Sequence, residues 1–425
     1  MPAPKGGVAM ESEQLRVASE ENIKVYGYRW VVLVAYMLAT IVIQLLWASF
    51  FSITTEAWEF YGFTDAVKGE NAISLLSIIF MVGMIVLSVP SLAAFEKWGL
   101  KKAVGFGAVL AGVAGLLRGL FGDNYTFVLV MTVLLAVAQP FILNAPGLIA
   151  GRWFPENERA TANGVGLLAN YVGIALGLLL SPILLGTGLS IKGLLNIYGI
   201  VAVVVAVLFV LLVKDKPPTP PCAEEDAERV DFVEGLKTAF KKKNFLLTVI
   251  MFFFMLGVFN TFFTMIEPLM TSMTKGAVGA TEAGIIGVIV LVTGIIGSFV
   301  VSMFSDKDKR QRRLPYMIAA NVVGVIGMVL FILLSDYTGM IIAAVVYGFF
   351  TIGSAPVVLT YAAEAAYPTS EGTSEGLLMF AGNVGGVVLL GLASILGGNH
   401  LGVMIGMAAV SVFSVFLMFL CKEDK

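Results

Sequence analysis

Along the chain, long apolar runs alternate with short polar breaks. Twelve runs reach the roughly 20 residues that a helix needs to cross a bilayer. They cover 30–53, 72–95, 101–121, 125–149, 160–185, 191–213, 244–271, 280–304, 314–334, 338–362, 374–397 and 401–421. They are too long and too continuously apolar for barrel strands, and lipid leaves no water for exposed backbone groups. Each run therefore predicts an α-helix. One long polar break, 214–243, divides the runs six and six. The expected organisation is a tail over 1–29, a six-helix bundle over 30–213, a linker over 214–243, a second bundle over 244–421 and a tail over 422–425. Within the linker, Val230 to Lys243 reads as a basic amphipathic helix lying along the membrane face.

Composition agrees with the pattern. The chain of 425 residues is 58% hydrophobic and 13% charged, against about 45–50% and 25% in soluble domains. Its mean hydropathy is +0.92. A soluble enzyme or a disordered chain is excluded. So is a nucleic-acid binder, because that needs a basic surface and the net charge is −2. Charge also orients the chain. With the N-terminus inside, all but four of the 27 Lys and Arg residues fall on the inner side, the exceptions being Lys68, Arg118, Lys192 and Lys275. The positive-inside rule then places both termini in the cytoplasm of an integral plasma-membrane protein. Cys222 and Cys421 lie on that reducing side and are expected as thiols.

The two halves repeat each other. Ser49-Phe50-Phe51-Ser52-Ile53 in the first run matches Thr261-Phe262-Phe263-Thr264-Met265 in the seventh. Glu96-Lys97-Trp98-Gly99-Leu100-Lys101-Lys102 matches Asp306-Lys307-Asp308-Lys309-Arg310. Phe154-Pro155-Glu156-Asn157-Glu158 matches Tyr367-Pro368-Thr369-Ser370-Glu371. The expected fold is thus an all-α membrane protein with twelve transmembrane helices in two six-helix, pseudo-symmetric bundles. A solute would bind between the bundles near the midplane.

Few residues in the runs carry chemistry. Glu267 is a carboxylate within the seventh run, followed by Pro268. An ionisable group there either faces a solute path or caps a fold-back at the outer interface. Trp47 lies inside the first run rather than at its end, where its face can line a cavity and hold a cation. Gln139 and Asn144, near Pro140 and Pro146, serve either as interhelical glue or as solute contacts. Glu96 and Asp306, at equivalent places in the repeat, are candidate gate charges or else loop carboxylates in water, joined as gate candidates by Arg159 and by Glu364, which is expected to pair with a cytoplasmic arginine. Arg118 is expected to pair with Glu56 or Glu59, or else to snorkel, and His400 to be a solvated loop residue, with a proton carrier as the alternative. No basic residue is expected deep in a run. There is no metal-ligand cluster, no phosphate-binding loop and no Ser-His-Asp set, so neither a cofactor nor an enzyme is expected.

Several strings resemble one family. Ala138-Gln139-Pro140-Phe141-Ile142-Leu143 followed by Trp153-Phe154, and Glu364-Ala365-Ala366-Tyr367-Pro368 running into Ser370-Glu371-Gly372-Thr373-Ser374, resemble the feline leukaemia virus subgroup C receptor family of facilitator transporters. Trp47, Phe60-Tyr61-Gly62 and Glu96 to Gly99 fit the same pattern. The resemblance implies a major facilitator fold and transport of choline and ethanolamine, or of haem. It further implies a site where Trp47 faces a quaternary ammonium. Asn260 stands at the family's tyrosine position, and Tyr171 and Asn383 at its two glutamine positions.

The reading is a monomeric secondary transporter in contact with lipid, moving a small organic solute by alternating access. A cationic or polar neutral metabolite is expected between Trp47, Gln139, Asn144, Tyr171, Asn260 and Asn383, with Glu267 further out. Haem-like amphiphiles, organic anions and a non-transporting receptor remain alternatives.

Overall fold

The computed structural model describes residues 24–219, 221, 238–308, 310, 312–367, 369 and 371–423. Among them every regular element is helical. The first half comprises α1 (Arg29–Ala48), α2 (Thr54–Phe60), α3 (Ala66–Leu120), α4 (Tyr125–Leu143), α5 (Pro146–Trp153), α6 (Glu156–Gly186) and α7 (Ile191–Leu212). The second comprises α8 (Lys243–Thr264), α9 (Ile266–Met273), α10 (Ala280–Asp306), α11 (Leu314–Leu333), α12 (Tyr337–Tyr347), a π-helical turn (Gly348–Ile352), α13 (Ala355–Ala366), α14 (Glu371–Ile395) and α15 (His400–Phe419). The expected amphipathic stretch from Val230 falls mostly outside the described residues.

Among the described residues, eleven helical stretches are long and apolar enough to cross a membrane, and one of them carries two of the twelve expected spans. α3 runs for 55 residues but is non-helical at Gly99, with φ 80°. A side chain rarely adopts that angle, so glycine is required where the chain reverses. The reversal brings the ends of α3 to one face, where Tyr125 Oη donates to Ala72 O at 2.6 Å. Four other runs are cut short or interrupted. The first helix stops at Ala48 rather than 53, the fourth run breaks after Leu143, the seventh breaks after Thr264, and the tenth is interrupted by the π-helical turn.

Short polar caps start the helices on the face opposite the termini. Asp65, Asn124, Ser190, Asp336 and Asn399 each accept a backbone N–H from the first turn of α3, α4, α7, α12 and α15. Such caps satisfy donors that would otherwise be orphaned at a helix start.

The repeat is visible in the packing. A Cβ on Gly173 of α6 would overlap Ile41 O of α1, and one on Gly385 of α14 would overlap Phe253 O of α8. The two contacts are related by a shift of 212 residues, the same separation that joins Thr55 to Glu267. Without side chains at these points, backbones approach closely, as helices in lipid require.

Each bundle is also stapled on the terminal face by a carboxylate from just beyond its last helix. Asp215 accepts the Lys101 N–H at 3.1 Å and pairs with Arg152 at 3.2 Å. Glu423 accepts the Leu314 N–H at 2.6 Å. Both anions sit at the positive start of a helix. Arg313 joins Asp306 to Glu364, at 3.2 Å from the latter, and so ties α10 to α13.

Two outcomes test this packing. Gly173→Leu and Gly385→Leu should each lower the thermal midpoint in detergent, because overpacking costs about 1–3 kcal/mol. Gly164→Ala, where an added Cβ meets open space, should leave the midpoint unchanged or slightly raised. Asp215→Asn should destabilise the first bundle by about 1 kcal/mol, the loss of a cap at a half-exposed site. Glu96→Gln should be neutral, since that side chain is exposed. A larger effect at Glu96 than at Asp215 would contradict the staple.

Candidate functional site

The site begins with a helix break. α1 ends at Ala48, and α2 begins at Thr54. The carbonyls freed between them are met by side chains. Ser181 Oγ of α6 donates to Ser49 O at 2.8 Å, and Arg118 NH1 donates to Leu46 O at 3.0 Å. Ser52 Oγ donates in turn to Leu178 O at 2.8 Å. Arg118 corrects two expectations. It is buried rather than at the rim, and it pairs with neither Glu56 nor Glu59. Its guanidinium serves the end of α1 and lies 4.9 Å from the Phe50 ring centre. The reason is electrostatic: a cation at a helix C-terminus meets unsatisfied carbonyls.

One face of α1 carries Gln44 and Trp47. Gln139 Nε2 of α4 donates to Gln44 Oε1 at 3.1 Å. Gln44 Nε2 donates to Asn170 Oδ1 of α6. Three amides thus connect three helices. The chain leaves Gln139 Oε1 buried with no hydrogen-bond partner among the described residues, and the same holds for Trp47 Nε1 and for Thr264 Oγ1 of α8. Unpaired buried polar atoms are costly unless a ligand or water meets them. Asn144 plays a different part. It ends α4 and donates to Ser91 Oγ at 3.0 Å, which holds α4 to α3.

Aromatic rings supply the walls. Trp47 meets Phe51 edge-on at 5.0 Å, and Phe259 meets Phe263 at 4.6 Å in the other bundle. These two pairs occupy matching places in the repeat. Tyr171 reaches Phe259 across the bundles at 6.5 Å. Asn260 is buried where α8, α14 and α3 meet, its amide against Gly386 and near Met81. Asn383 donates to Met379 O of its own helix at 2.8 Å. Trp47 and Asn260 are both buried inside protein rather than presented to lipid. A separate cleft, lined in part by Asn321, Thr351, Ser411 and Ser414, lies wholly within the second bundle.

The bundles are bridged on the face opposite the termini. Glu267, on α9 after the break in α8, accepts from Thr55 N and Thr55 Oγ1, each at 3.0 Å. Thr271 adds a bond at 3.4 Å. Thr55 and Glu267 are repeat equivalents, so this contact lies on the axis relating the halves. Asn71 donates to Ser394 O at 3.4 Å. His400 is not a solvated loop residue: its Nε2 lies 2.9 Å from Glu70, and both side chains are largely buried. α10 packs on α6 and α14 on α3 across the same interface.

Glu96, the gate charge expected in the first half, is exposed and makes no ion pair among the described residues. The carboxylate that reaches the start of the third span is Asp215, which follows the sixth span and stays within the first bundle. Asp306 and Glu364 share Arg313, within one bundle. Arg159 Nε donates to Phe154 O at 3.5 Å.

Sequence reasoning missed Gln44, Asn170, Thr55 and Asp215. Gln44 is three residues before Trp47, a spacing that shares a helix face. Thr55 aligns with Glu267 once the repeat is extended by two residues. No comparable signal marks Asn170 or Asp215.

Comparison with known proteins matches this geometry. The chain is 28% identical over 384 residues to the choline/ethanolamine transporter FLVCR2 of Homo sapiens, covering 86% of this chain and 71% of that protein. It is 28% identical over 379 residues to the choline/ethanolamine transporter FLVCR1 of Felis catus, covering 85% and 66%. The fold superposes on an inward-facing, unoccupied bacterial homologue of the human lysosomal transporter Spinster, with a TM-score of 0.69 and 15% identity over 93% of this chain and 96% of that one. The family model of the Major Facilitator Superfamily matches residues 32–390. Paired bundles, an internal repeat and that match over most of the chain together place the protein in the Major Facilitator Superfamily.

Proposed function

We propose that the protein carries a small cationic or polar neutral amino alcohol, of the choline or ethanolamine type, between its two bundles by alternating access. One observation carries this reading. Among the buried polar atoms left unpaired, those on Trp47, Gln139 and Thr264 belong to uncharged side chains, with the Trp47–Phe51 and Phe259–Phe263 ring pairs at matching places in the two bundles. A bare cation loses its water on entering such a site, and π faces and amide oxygens replace it. A hydroxyl on the solute finds a donor in Trp47 Nε1 and an acceptor in Gln139 Oε1. The names of the related transporters agree with that chemistry.

An anion is less well served. Arg118 is the buried cation nearby; its NH1 is committed to Leu46 O and the guanidinium lies over the Phe50 ring, which leaves Nε buried without a partner among the described residues. Tyr171, Asn260 and Asn383 complete the wall of the proposed site, with Glu267 as negative charge further along the path. The Lys and Arg distribution puts the terminal face in the cytoplasm, so bridging on the opposite face corresponds to an inward-facing form. Each bundle, stapled internally, then rocks as a body. One chain supplies both bundles, so a monomer in a plasma-membrane bilayer suffices.

Solute binding to purified protein tests this assignment. Trp47→Ala should weaken binding of a quaternary ammonium by about 1–2 kcal/mol, roughly five- to thirtyfold. Asn144→Ala should leave affinity near wild type, since Asn144 holds helices. Glu267→Gln should lower uptake of a cation while sparing a neutral solute. Unchanged affinity in Trp47→Ala would remove the tryptophan from the site.

A further inference from the structure

The turn joining α14 to α15 is docked on the first turns of α3. Gly397 and Gly398 both have positive φ, 55° and 76°, which makes this turn tight and places Gly398 against Val67. Beyond it, His400 opens α15 and lies 2.9 Å from Glu70, with side chains 13% and 12% exposed. The adjacent Asn71 holds Ser394 O. Two neighbouring residues of the first bundle thus grip both sides of one turn of the second.

We propose that Glu70 and His400 form a pH-operated clasp that holds the bundles together on the face opposite the termini. Histidine is the side chain that ordinarily changes charge between pH 5 and 8. His400 opens a helix, where the positive end of the dipole disfavours an imidazolium. Glu70 near the start of α3 offsets that cost while the bundles touch. Separating them leaves a protonated His400 at a helix start with its carboxylate withdrawn. A charge-assisted Glu70–His400 bond is stronger than a neutral one, so the face is held closed when His400 is charged and is held less tightly as pH rises.

Other charges near this face are Asp65 and Lys68 at the start of α3, Glu56 and Glu59 on α2, Asp123 before α4, Lys192 on α7, Glu267 on α9, Lys275 just after it, Glu282 on α10 and Asp336 before α12; Glu56 and Glu70 both act on Glu267. Of these groups and Glu70, Glu70 is the one that pairs with His400 among the described residues. α8, α11 and α14 bring no charged side chain to this face. The clasp rests on the rocking of two bundles and not on the identity of the solute, so it stands or falls separately from the site at Trp47.

The test is an interbundle distance in lipid nanodiscs, read by pulsed electron paramagnetic resonance between spin labels at Thr187→Cys and Ser335→Cys. Both positions are exposed, and Cys222 and Cys421 are replaced by serine. Between pH 6 and 8 the open-to-closed ratio on this face should rise about fivefold, the difference between a charge-assisted and a neutral hydrogen bond. His400→Gln should hold the ratio at the alkaline wild-type value across that range. His400→Lys, with a fixed charge, should keep the face closed at pH 8. Glu267→Gln should retain the pH step, which separates the clasp from the axial contact. A wild-type ratio independent of pH, or a step that survives in His400→Gln, would overturn the proposal.

Discussion

Two broken helices meeting on one axis organise this protein. In lipid, a helix cannot stop without satisfying the groups it frees. α1 stops at Ala48, and Arg118 and Ser181 donate to the carbonyls freed there. α8 stops at Thr264, and α9 restarts with Glu267. The carboxylate takes its hydrogen bonds from Thr55 in the opposite bundle. The carbonyls at the end of α1 are therefore met within their own bundle, while the N–H of Thr55 at the start of α2 is met by a carboxylate of the other bundle. Separating the bundles strips a buried carboxylate of both donors that Thr55 supplies. Opening the interface must therefore supply other partners, from water, a cation or a proton.

Rigidity elsewhere makes that interface the place where motion concentrates. The glycine contacts at Gly173 and Gly385 leave no slack between α1 and α6 or between α8 and α14. The terminal carboxylates Asp215 and Glu423 fasten each bundle to itself. Between the bundles lie aromatic rings and a few polar bridges. Bodies that are stiff within and joined by few bonds rock rather than deform. The unpaired atoms near Trp47 sit close to the level of the breaks, where a solute can be exposed first to one side and then to the other.

The fold was largely legible in the sequence, because span length in lipid is a hard constraint and the repeat left recognisable strings. Helix ends were less so. The stop at Ala48 depends on Arg118 and Ser181, which are distant in sequence. The site was only partly legible. Trp47 and Gln139 stood out as polar or aromatic groups within apolar runs, but the amide chain required knowing that α1, α4 and α6 touch. Charges were hardest to place. Arg118 looked peripheral by position yet is buried, because a helix end there needs a donor. His400 looked like a loop residue until the α14–α15 turn was seen against Glu70. Glu96 sits in a conspicuous basic string, yet the anion that caps the following helix arrives from Asp215, over a hundred residues later.

The account's central claim is that the bundles enclose a site for a cationic or polar neutral solute. Counterflow into proteoliposomes measures this most directly, with wild-type protein offered labelled choline, ethanolamine, small carboxylates and haem in parallel. The account predicts accumulation of choline or ethanolamine above protein-free vesicles and none of the carboxylates. Accumulation of a carboxylate alone would contradict it.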